Sequence, residues 1–480
     1  MLHDATFAKT QMPPGPVSRL PGGMFLRLRR DPLKLLTDVA NGYGDIAYFK
    51  LVDRPTYLLN NPEHIRSVLE TPYGQFEKGF GLQVTKNLLG NGLLTSEGEF
   101  HRRQRRLVQP AFHKERLAGY GVVMADYADD LAGRWQDGAT VDIGYEMMQL
   151  TRLIVTKTLF DYDVTGQMDE IDIATATLIE LFGFVTLPFG TWLADHSQLP
   201  AARRLRHARA TLDKFIFDMI ADRRASGRDH GDLLSMLLMS VDEEAVAAPA
   251  NGRAAQDAAG AIGRTGNGQA AAGMTDREVR DEAITLFLAG HETTANALTW
   301  SWYLLAQHPE VEAKLGAELD AVLGGRKPGM ADVGALVYTR MVLTEAMRLY
   351  PPAWAIGRRA LVDHPVGGYV IPAGASVFMS PYVVHRDARY FPDPLRFDPE
   401  RWRPETAGER PELPKYAYFP FGGGPRRCIG EAFAWLEGTL LLATLAQRWQ
   451  FELAGGMTMV PRPRITLRPR GPIRMIVRAR

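Results

Sequence analysis

The sequence predicts a mainly α-helical protein with small β-sheets, and three observations support this. From about residue 62 to 240, apolar residues recur at three- and four-residue spacing, which is typical of amphipathic helices. A second helical stretch of about 33 residues begins at Thr275 and ends before Pro309. Segments that predict short strands lie at residues 45–60, 366–380 (strand–turn–strand) and 450–479.

Composition and charge exclude several classes of protein. The chain has 480 residues, a formal net charge of +1 and a single cysteine. A net charge near zero gives no global field that would attract nucleic acid or an anionic membrane. One cysteine excludes an intrachain disulfide and fits a reducing compartment. Length alone favours two or more domains.

We expect a cytoplasmic protein without a transmembrane anchor. The N-terminus lacks the pattern of a signal peptide. The apolar stretch Leu181 to Ala194 is broken by Pro188 and is shorter than the ~20 residues that span a bilayer. Burial of this stretch is favoured over peripheral membrane contact.

Residues 242–273 differ in composition from the rest of the chain. They are rich in Ala and Gly and lack aromatic residues and an apolar stripe. This composition predicts a mobile loop. A domain linker is the competing interpretation.

The helical stretch from Thr275 has a clear start. Thr275 and Glu278 form the Thr-x-x-Glu pattern of a capping box. The middle of the stretch is apolar on almost every side, so the helix should cross the interior. Its centre nevertheless carries Glu292 and Thr293, a carboxylate beside a hydroxyl, which is costly to bury. From these residues alone, a hydrogen-bonded polar pair in the core and a functional pair are equally good explanations.

The single cysteine lies in an unusual loop, FGGGPRRCIGE, from Phe421 to Glu431. A helical pattern follows Cys428, so the thiol should lie close to a helix N-terminus, where the dipole favours a thiolate. A thiolate could act as a nucleophile or as a metal ligand, and a plain buried cysteine is the alternative. A zinc site needs about four protein ligands. A haem iron needs one axial thiolate.

The loop resembles the haem-binding loop of the cytochrome P450 family, Phe-x-x-Gly-x-Arg-x-Cys-x-Gly. The matching residues are Phe421, Gly424, Arg426, Cys428 and Gly430. The resemblance implies that Cys428 is the proximal ligand of a haem b iron and that Arg426 pairs with a haem propionate. Further cofactor contacts are implied for Phe421, Gly422 and Gly430.

The centre of the long helix is similar to the family's oxygen-side motif. Ala289, Gly290, Glu292 and Thr293 match it position by position. The resemblance implies that Ala289 and Gly290 lie over the haem and that the helix opens locally near Gly290 to admit dioxygen. Thr293 is then the hydroxyl that contacts dioxygen, and Glu292 relays protons from solvent.

Two further patterns match the family. Glu345 and Arg348, three residues apart, are implied to form a buried triad with Arg401, where Trp402 replaces the usual Phe. His101, Arg105 and Arg358 are implied to contact the propionates, although Arg359 competes with Arg358. The resemblance leaves three nearby arginines for an acidic redox protein: Arg102, Arg103 and Arg106.

The resemblance covers nearly the whole chain and implies one cytochrome P450 haem domain over 1–480, containing the 242–273 loop. It implies a monooxygenase that inserts one atom of O2 into a C–H or C=C bond of a hydrophobic molecule: a terpenoid, fatty acid, steroid or polyketide. Since no flavin or iron–sulfur domain is present, electrons would come from a ferredoxin or flavodoxin-type donor with its reductase. A peroxide-using peroxygenase and a haem-thiolate sensor are the alternatives.

Substrate contacts are implied by position for a set of mostly apolar side chains, each of which could equally belong to the core. The set is Phe80, Leu82, Phe182, Phe184, Ala289, Ala353, Trp354, Ile356 and Thr466.

Overall fold

The computed structural model describes residues 12–18, 20, 22–162, 168–187, 189–240, 273–404, 412–456 and 458–480. The predicted loop at 242–273 therefore lies almost wholly outside the described residues. The described helices are α1 Gly23–Arg30, α2 Pro32–Tyr43, α3 Pro62–Leu69, α4 Phe80–Leu89, α5 Gly98–Val108, α6 Lys114–Arg134, α7 Ile143–Phe160, α8 Met168–Glu180, α9 Phe182–Val185, α10 Gly190–His196, α11 Pro200–Ser226, α12 Leu233–Met239, α13 Asp276–Leu305, α14 Pro309–Leu323, α15 Val337–Leu349, α16 Pro381–Val384 and α17 Glu431–Ala446. This content confirms the predicted mainly α-helical class.

The described strands are short and form four small sheets. They are β1 Ile46–Leu51, β2 Arg54–Leu59, β3 Phe76–Lys78, β4 Thr140–Asp142, β5 Ile356–Ala360, β6 His364–Val366, β7 Tyr369–Ile371, β8 Ser376–Met379, β9 Trp449–Leu453, β10 Pro461–Pro463, β11 Leu467–Pro469 and β12 Arg474–Ala479. The largest sheet has the order β1-β2-β8-β5-β3, and a three-stranded sheet has the order β4-β12-β9. The other two sheets are the pairs β6-β7 and β10-β11.

The chain groups into two compact units. The first, which we call the sheet unit, comprises Met1–Gln83, Thr344–Cys428 and Pro461–Arg468. The second, the helical unit, comprises Val84–Leu343, Ile429–Val460 and Pro469–Arg480. The single haem domain over the whole chain stays a prediction.

The sheet unit is built around the five-stranded sheet. β1 and β2 form an antiparallel hairpin, β2 pairs in parallel with β8, and β5 joins β8 to β3 in antiparallel register. Buried side chains such as Tyr57, Val377 and Met379 form the core on this sheet. The predicted strand–turn–strand at 366–380 is present as β7, a turn at residues 372–375 and β8, and a further reversal precedes it. Gly367 and Gly368 both have positive φ angles, so the chain reverses between β6 and β7 before β8 begins.

The helical unit is organised around α13, which has 30 residues. Its first turn has the predicted capping box, with Thr275 and Glu278 bonded reciprocally. The helix ends three residues earlier than predicted, because Ala306, Gln307 and His308 form a turn before Pro309 starts α14. α7 packs along α13, and both are almost entirely buried where they meet.

The apolar stretch 181–194 is not uniformly buried, contrary to expectation. Phe189 is 81% exposed and Trp192 is 59% exposed, whereas Val185 and Ala194 are buried. α9 and α10 are too short to bury both faces of this stretch, so the two rings remain in solvent. Within the described residues, no helix combines the length and the hydropathy needed to cross a membrane.

Candidate functional site

The cysteine loop is closed by a backbone hydrogen bond. Cys428 N–H donates to the Phe421 carbonyl at 3.0 Å, and Gly422 N–H donates to the Phe419 carbonyl at 3.0 Å. These bonds hold the ends of the eight-residue loop together. The Cys428 side chain is exposed, two residues before Gly430, the N-cap of α17. The loop therefore presents the thiol outward near the positive end of a 16-residue helix.

Each of the three glycines in the loop has a different environment. A Cβ on Gly423 would overlap the Tyr416 ring, and a Cβ on Gly424 would overlap the Leu69 carbonyl. Gly422 and Gly424 also have positive φ angles, of 69° and 64°. A Cβ on Gly422 would meet only the Ile356 side chain, at an ordinary contact distance of 3.5 Å. The protein therefore leaves no room for a Cβ beside Gly423 or Gly424, whereas a Cβ beside Gly422 would make an ordinary contact.

Aromatic side chains hold the loop from within the sheet unit. Tyr73 donates its hydroxyl proton to the Pro425 carbonyl at 3.1 Å, and its ring lies 5.1 Å from the Arg426 guanidinium carbon. Arg426 is half-buried and Arg427 is exposed. The Tyr73 ring therefore contacts the guanidinium of Arg426 and restricts where it can lie.

His385 supports the start of the loop, and sequence reasoning missed it. Phe419 N–H donates to His385 Nε2 at 2.9 Å, so the imidazole must be unprotonated at that nitrogen. Burial, and then the positive charges of Arg348 and Arg386, hold the pKa of His385 well below its ordinary value. A neutral histidine therefore serves as the acceptor for the chain that leads into the loop.

The structure brings the predicted triad together. Arg348 donates from Nε and Nη2 to the two Glu345 oxygens, both at 2.8 Å. Arg401 Nε donates to Glu345 Oε1 at 3.2 Å. Glu345 and Arg348 are completely buried. Such a pair is strongly destabilised when one partner is lost, because the remaining charge is stranded.

The triad also organises the irregular chain before the cysteine loop. Arg348 donates to the backbone carbonyls of His385, Pro394 and Arg396 at 2.6–3.0 Å. Trp402, which replaces the usual Phe, donates its indole N–H to Glu345 Oε2 at 2.9 Å. Sequence comparison marked this tryptophan as a departure but gave no sign that its N–H joins the network.

On the helical unit, α13 is buried from Val279 to its end except at one place. Ala289 is exposed, and Leu288, Gly290 and Thr293 are half-buried, whereas Glu292 and the residues from Thr294 to Leu305 are buried. Ala289 and Thr293 are four residues apart and therefore share a face. We call the residues 288–290 and 293 the exposed strip of α13.

Polar side chains near the strip donate hydrogen bonds to backbone carbonyls of α13. Thr293 Oγ1 donates to the Ala289 carbonyl at 2.8 Å, and Asn296 Nδ2 donates to the Glu292 carbonyl at 2.8 Å. Thr151 on α7 donates to the His291 carbonyl at 3.0 Å. Such bonds compete with the helical ladder and weaken it locally. The helix nevertheless runs without interruption through this region, and the local opening near Gly290 stays a prediction.

Gly290 has a packing role of its own. A Cβ there would lie 3.0 Å from the Val155 side chain, so the glycine lets α7 approach α13 closely. Glu292, on the other side of the helix, is only 4% exposed. Glu292 therefore lies in the interior, whereas the next residue, Thr293, lies at the edge of the exposed strip.

On α5, the candidate propionate residues and the neighbouring arginines differ in burial and in hydrogen-bond partners. His101 is buried and Arg105 is half-buried. Arg103 does not face outward as expected: it donates to Glu278 at 3.0 Å and to the Gly273 carbonyl at 3.1 Å. Its side chain is therefore held against α13. The other three arginines line a shallow surface depression. Its lining residues are Arg102, Arg105, Arg106, Gln109, Pro110 and His113.

Arg358 and Arg359 alternate across β5. Arg358 is buried, while Arg359 is exposed and pairs with Glu77 on β3 at 2.5 Å. Successive strand residues point to opposite faces, so only one of the two can point inward. The structure favours Arg358 over Arg359 for an inward-facing role, and its pairing with a propionate stays a prediction.

The candidate pocket residues differ in their exposure and in their contacts. Phe80 is exposed with Arg54 stacked on its ring, and Thr466 is buried. Trp354 packs on the core of the N-terminal helices and donates its indole N–H to the Arg464 carbonyl at 2.9 Å. Its ring therefore has a structural role. The half-buried members are Leu82, Phe182, Phe184, Ala353 and Ile356.

Comparison with known proteins places these features in one family. The family model described as Cytochrome P450 matches residues 13–477. Cyclooctatin synthase from Streptomyces melanosporofaciens is 40% identical over 464 residues, which cover 95% of this chain and 94% of the relative.

Two further relatives have similar coverage. Cyclooctat-9-en-7-ol 5-monooxygenase from the same organism is 37% identical over 448 residues, covering 93% of this chain and 90% of the relative. Pentalenene oxygenase from Streptomyces avermitilis is 33% identical over 426 residues, covering 88% of each.

Proposed function

Because the chain belongs to the cytochrome P450 family, a family of haem-thiolate oxidoreductases, we propose that it is a haem b monooxygenase acting on a terpenoid. It inserts one atom of O2 into a C–H or C=C bond and receives electrons from a separate ferredoxin or flavodoxin-type donor with its reductase. The observation that carries the proposal is the exposed Cys428 thiol at the end of a closed glycine loop.

The residues present fit the cofactor. A flat ligand against the cysteine loop needs an accessible sulfur and a backbone without a Cβ in the way. Cys428 is exposed, and Gly422 has no Cβ and only the Ile356 side chain nearby, at 3.5 Å from where a Cβ would lie. On α13, the exposed strip is an apolar surface next to a hydroxyl, on a helix that is otherwise buried. His101, Arg105, Arg358 and Arg426 are the side chains that would hold the propionates.

The haem, when bound, supplies the activation of dioxygen and the transfer of one oxygen atom to substrate. Cys428 contributes a thiolate, which the N-terminus of α17 stabilises electrostatically. Its negative charge would donate electron density to the iron of a bound haem.

Thr293 and Glu292 supply the proton relay. The Thr293 hydroxyl now donates to the Ala289 carbonyl at 2.8 Å. Rotation about its χ1 angle would let it donate into the exposed strip, leaving the carbonyl with its ordinary helical bond. Glu292 lies in the same helical turn, and its carboxyl group would pass on a proton to replace the one that Thr293 gives up.

The choice of substrate rests on the relatives and on the strip. The names of three relatives indicate oxidation of cyclooctatin- or pentalenene-type terpenoids. The strip offers Leu288, Ala289 and Gly290 as apolar contacts and a single hydroxyl. Such a surface favours a hydrocarbon skeleton with few polar groups over a carboxylate-bearing fatty acid.

The basic depression on α5 supports an acidic electron donor. Arg102 and Arg106 line it together with Pro110 and His113. Complementary charge raises the rate of encounter with an acidic protein and makes that rate sensitive to salt. Neutralising Arg106 to Gln should slow reduction by such a donor at low ionic strength.

The spectrum of the dithionite-reduced, CO-bound protein tests the thiolate assignment. The wild type should show the red-shifted band of a thiolate-ligated haem, and Cys428→Ser, which changes only sulfur to oxygen, should lose it. A wild type that binds no haem, or a Cys428→Ser variant that keeps the band, contradicts the proposal.

The coupling of electron use to product tests the relay. Thr293→Ala should bind substrate normally but divert electrons to peroxide, since it removes the hydroxyl donor. Thr299→Ala is the matched control, because Thr299 makes the same type of bond, to the Ala295 carbonyl at 2.6 Å, two turns further along α13. Equal coupling in both variants would refute the role of Thr293. Efficient turnover of the wild type with peroxide alone would instead favour a peroxygenase.

A further inference from the structure

Three consecutive charged residues of α13 bind the backbone of the segment between α4 and α5. Arg280 Nη1 donates to the Leu89 carbonyl at 2.9 Å. Asp281 Oδ2 accepts from Asn91 N–H at 2.7 Å, and Glu282 Oε2 accepts from Leu93 N–H at 2.9 Å.

All three side chains are buried: Arg280 is 5% exposed, Asp281 is 7% exposed and Glu282 is completely buried. Buried charges are tolerated when they are paired and hydrogen-bonded. Arg280 and Asp281 pair with each other at 2.9 Å, and Arg280 also binds Asp213 on α11. We call Arg280, Asp281 and Glu282 the α13 clamp and residues 89–93 the clamped segment.

The two glycines of the clamped segment allow α13 to approach it closely. Gly90 has a φ angle of 82°, and a Cβ there would overlap the Asp281 carboxylate. A Cβ on Gly92 would overlap the Thr285 hydroxyl. The segment is stiffened further by Thr95, whose hydroxyl donates to the Gly90 carbonyl at 2.6 Å. Backbone and side chains therefore fit each other closely, as in a fixed wall rather than a loose loop.

The clamped segment contacts α13 one helical turn before the exposed strip. Gly92 contacts α13 at Thr285, and Ala289 is four residues further on the same face. That spacing corresponds to about 6 Å along the helix axis. The last contact of the clamped segment with α13 is therefore one turn from the exposed strip, and the chain continues from the segment into α5, which carries His101.

We propose that Asp281 is a positioning residue that fixes the clamped segment as the wall of the ligand space over the exposed strip and so sets which ligands bind there. This inference rests on the proposed function, because it assigns the strip to the ligand side of the haem. Without the clamp, a ligand that touches the clamped segment has to order it on binding, and this ordering costs binding free energy. A ligand large enough to touch the wall then binds more weakly, and a small one is unaffected.

Two ligands that bind haem iron through the same imidazole nitrogen separate these cases: imidazole and 4-phenylimidazole. In Asp281→Asn, one acceptor oxygen becomes an amide that faces either Arg280 or the Asn91 N–H, so one of the two bonds is lost. The ratio of the Kd for phenylimidazole to the Kd for imidazole should rise about 10-fold relative to the wild type. Asp276→Asn is the matched control, being the same change at an exposed position on the same helix, and its ratio should not change.

A second variant and a second readout keep the inference testable if Asp281→Asn folds poorly. Gly90→Ala places a methyl group against Asp281 and should produce the same change in ratio. In an Asp281→Ala background the methyl group has room, so Gly90→Ala should have a smaller further effect. Hydrogen exchange of the peptide that contains Asn91 and Leu93 should accelerate in Asp281→Asn and not in Asp276→Asn.

A failure of the role inferred for Asp281 can be told apart from a failure of the proposed function. Absence of a thiolate–haem band in the wild type would refute the proposed function, together with the ligand role inferred here, even if hydrogen exchange showed the wall to be clamped. With the band present, equal changes in both Kd values, or unchanged exchange at Asn91 and Leu93, would overturn the role of Asp281.

Discussion

Glu437 is an acid that the proposed mechanism does not use, and it makes a sharp prediction about pH. It lies on α17 and is completely buried, and neither carboxyl oxygen makes a well-formed hydrogen bond with the described residues. Burial raises the pKa of Glu437 to about 8, and the nearby Thr294 hydroxyl on α13 offsets only part of this rise. The folded protein therefore holds Glu437 protonated at neutral pH.

The sign of the pH dependence follows from proton binding. Between pH 4.5, the ordinary pKa of this group, and about 8, the folded state keeps a proton that the unfolded state has lost. Stability then falls as the pH rises through this window. Each pKa unit corresponds to about 1.36 kcal/mol, so the contribution between pH 5 and 7.5 is roughly 3 kcal/mol as an upper bound. Partial relaxation around the carboxylate would make it smaller.

Glu437→Gln tests this directly, because the amide keeps the shape of the protonated acid and does not titrate. The urea midpoint of unfolding is measured from pH 5 to 7.5 by circular dichroism and by the haem absorption band. The wild-type midpoint should fall with pH more steeply than that of the variant, and the two should converge at the acidic end. Glu310→Gln, on the exposed first turn of α14, is the control and should keep the wild-type slope. Parallel slopes for the wild type and Glu437→Gln would refute the protonated buried acid.

Two other substitutions have expected magnitudes that the structure supplies. Trp402→Phe restores the family's usual residue but removes the 2.9 Å bond to Glu345, so it should lower the free energy of unfolding by about 1.5–3 kcal/mol in chemical denaturation, and no loss would show that the indole bond is not needed. His385 has a lowered pKa, so the folded state binds fewer protons than the unfolded state below pH 6.5 and stability should fall there as the pH drops. His385→Gln should reduce that acid sensitivity while keeping an acceptor for Phe419 N–H, and an unchanged acid limb of the stability curve would contradict this.

The elements that the sequence predicts well are those set by neighbouring residues. The capping box at Thr275, the hairpin of β1 and β2, and the helix after Cys428 all depend on residues within a few positions of each other. The partners of Glu345 were also predictable, since both come from short motifs of the family. The pattern at 366–380 predicted β7 and β8 but gave no sign of the earlier reversal at Gly367 and Gly368, which both adopt a positive φ angle.

The features that sequence reasoning missed depend on contacts between distant parts of the chain. Asn91 and Asp281 are 190 residues apart, and Phe419 and His385 are 34 residues apart. No local pattern marks such pairs. The ring of Trp354 packs on the core of the N-terminal helices, a contact that no local pattern marks, and its contact with substrate stays a prediction.

The cysteine loop and the acid–alcohol pair carry different weight as evidence for catalysis. Gly423 and Gly424 are required by Tyr416 and Leu69, so a protein that merely kept this loop folded would need them as well. Glu292 is buried on α13, and burying a carboxyl group costs stability that a mere binding protein would have no reason to accept. A haem-thiolate sensor would therefore retain the glycines and gain stability by replacing the acid with an apolar residue. The comparison of Thr293→Ala with Thr299→Ala is accordingly the experiment that separates a monooxygenase from a binding protein, because spectra of the thiolate–haem centre would be the same in both.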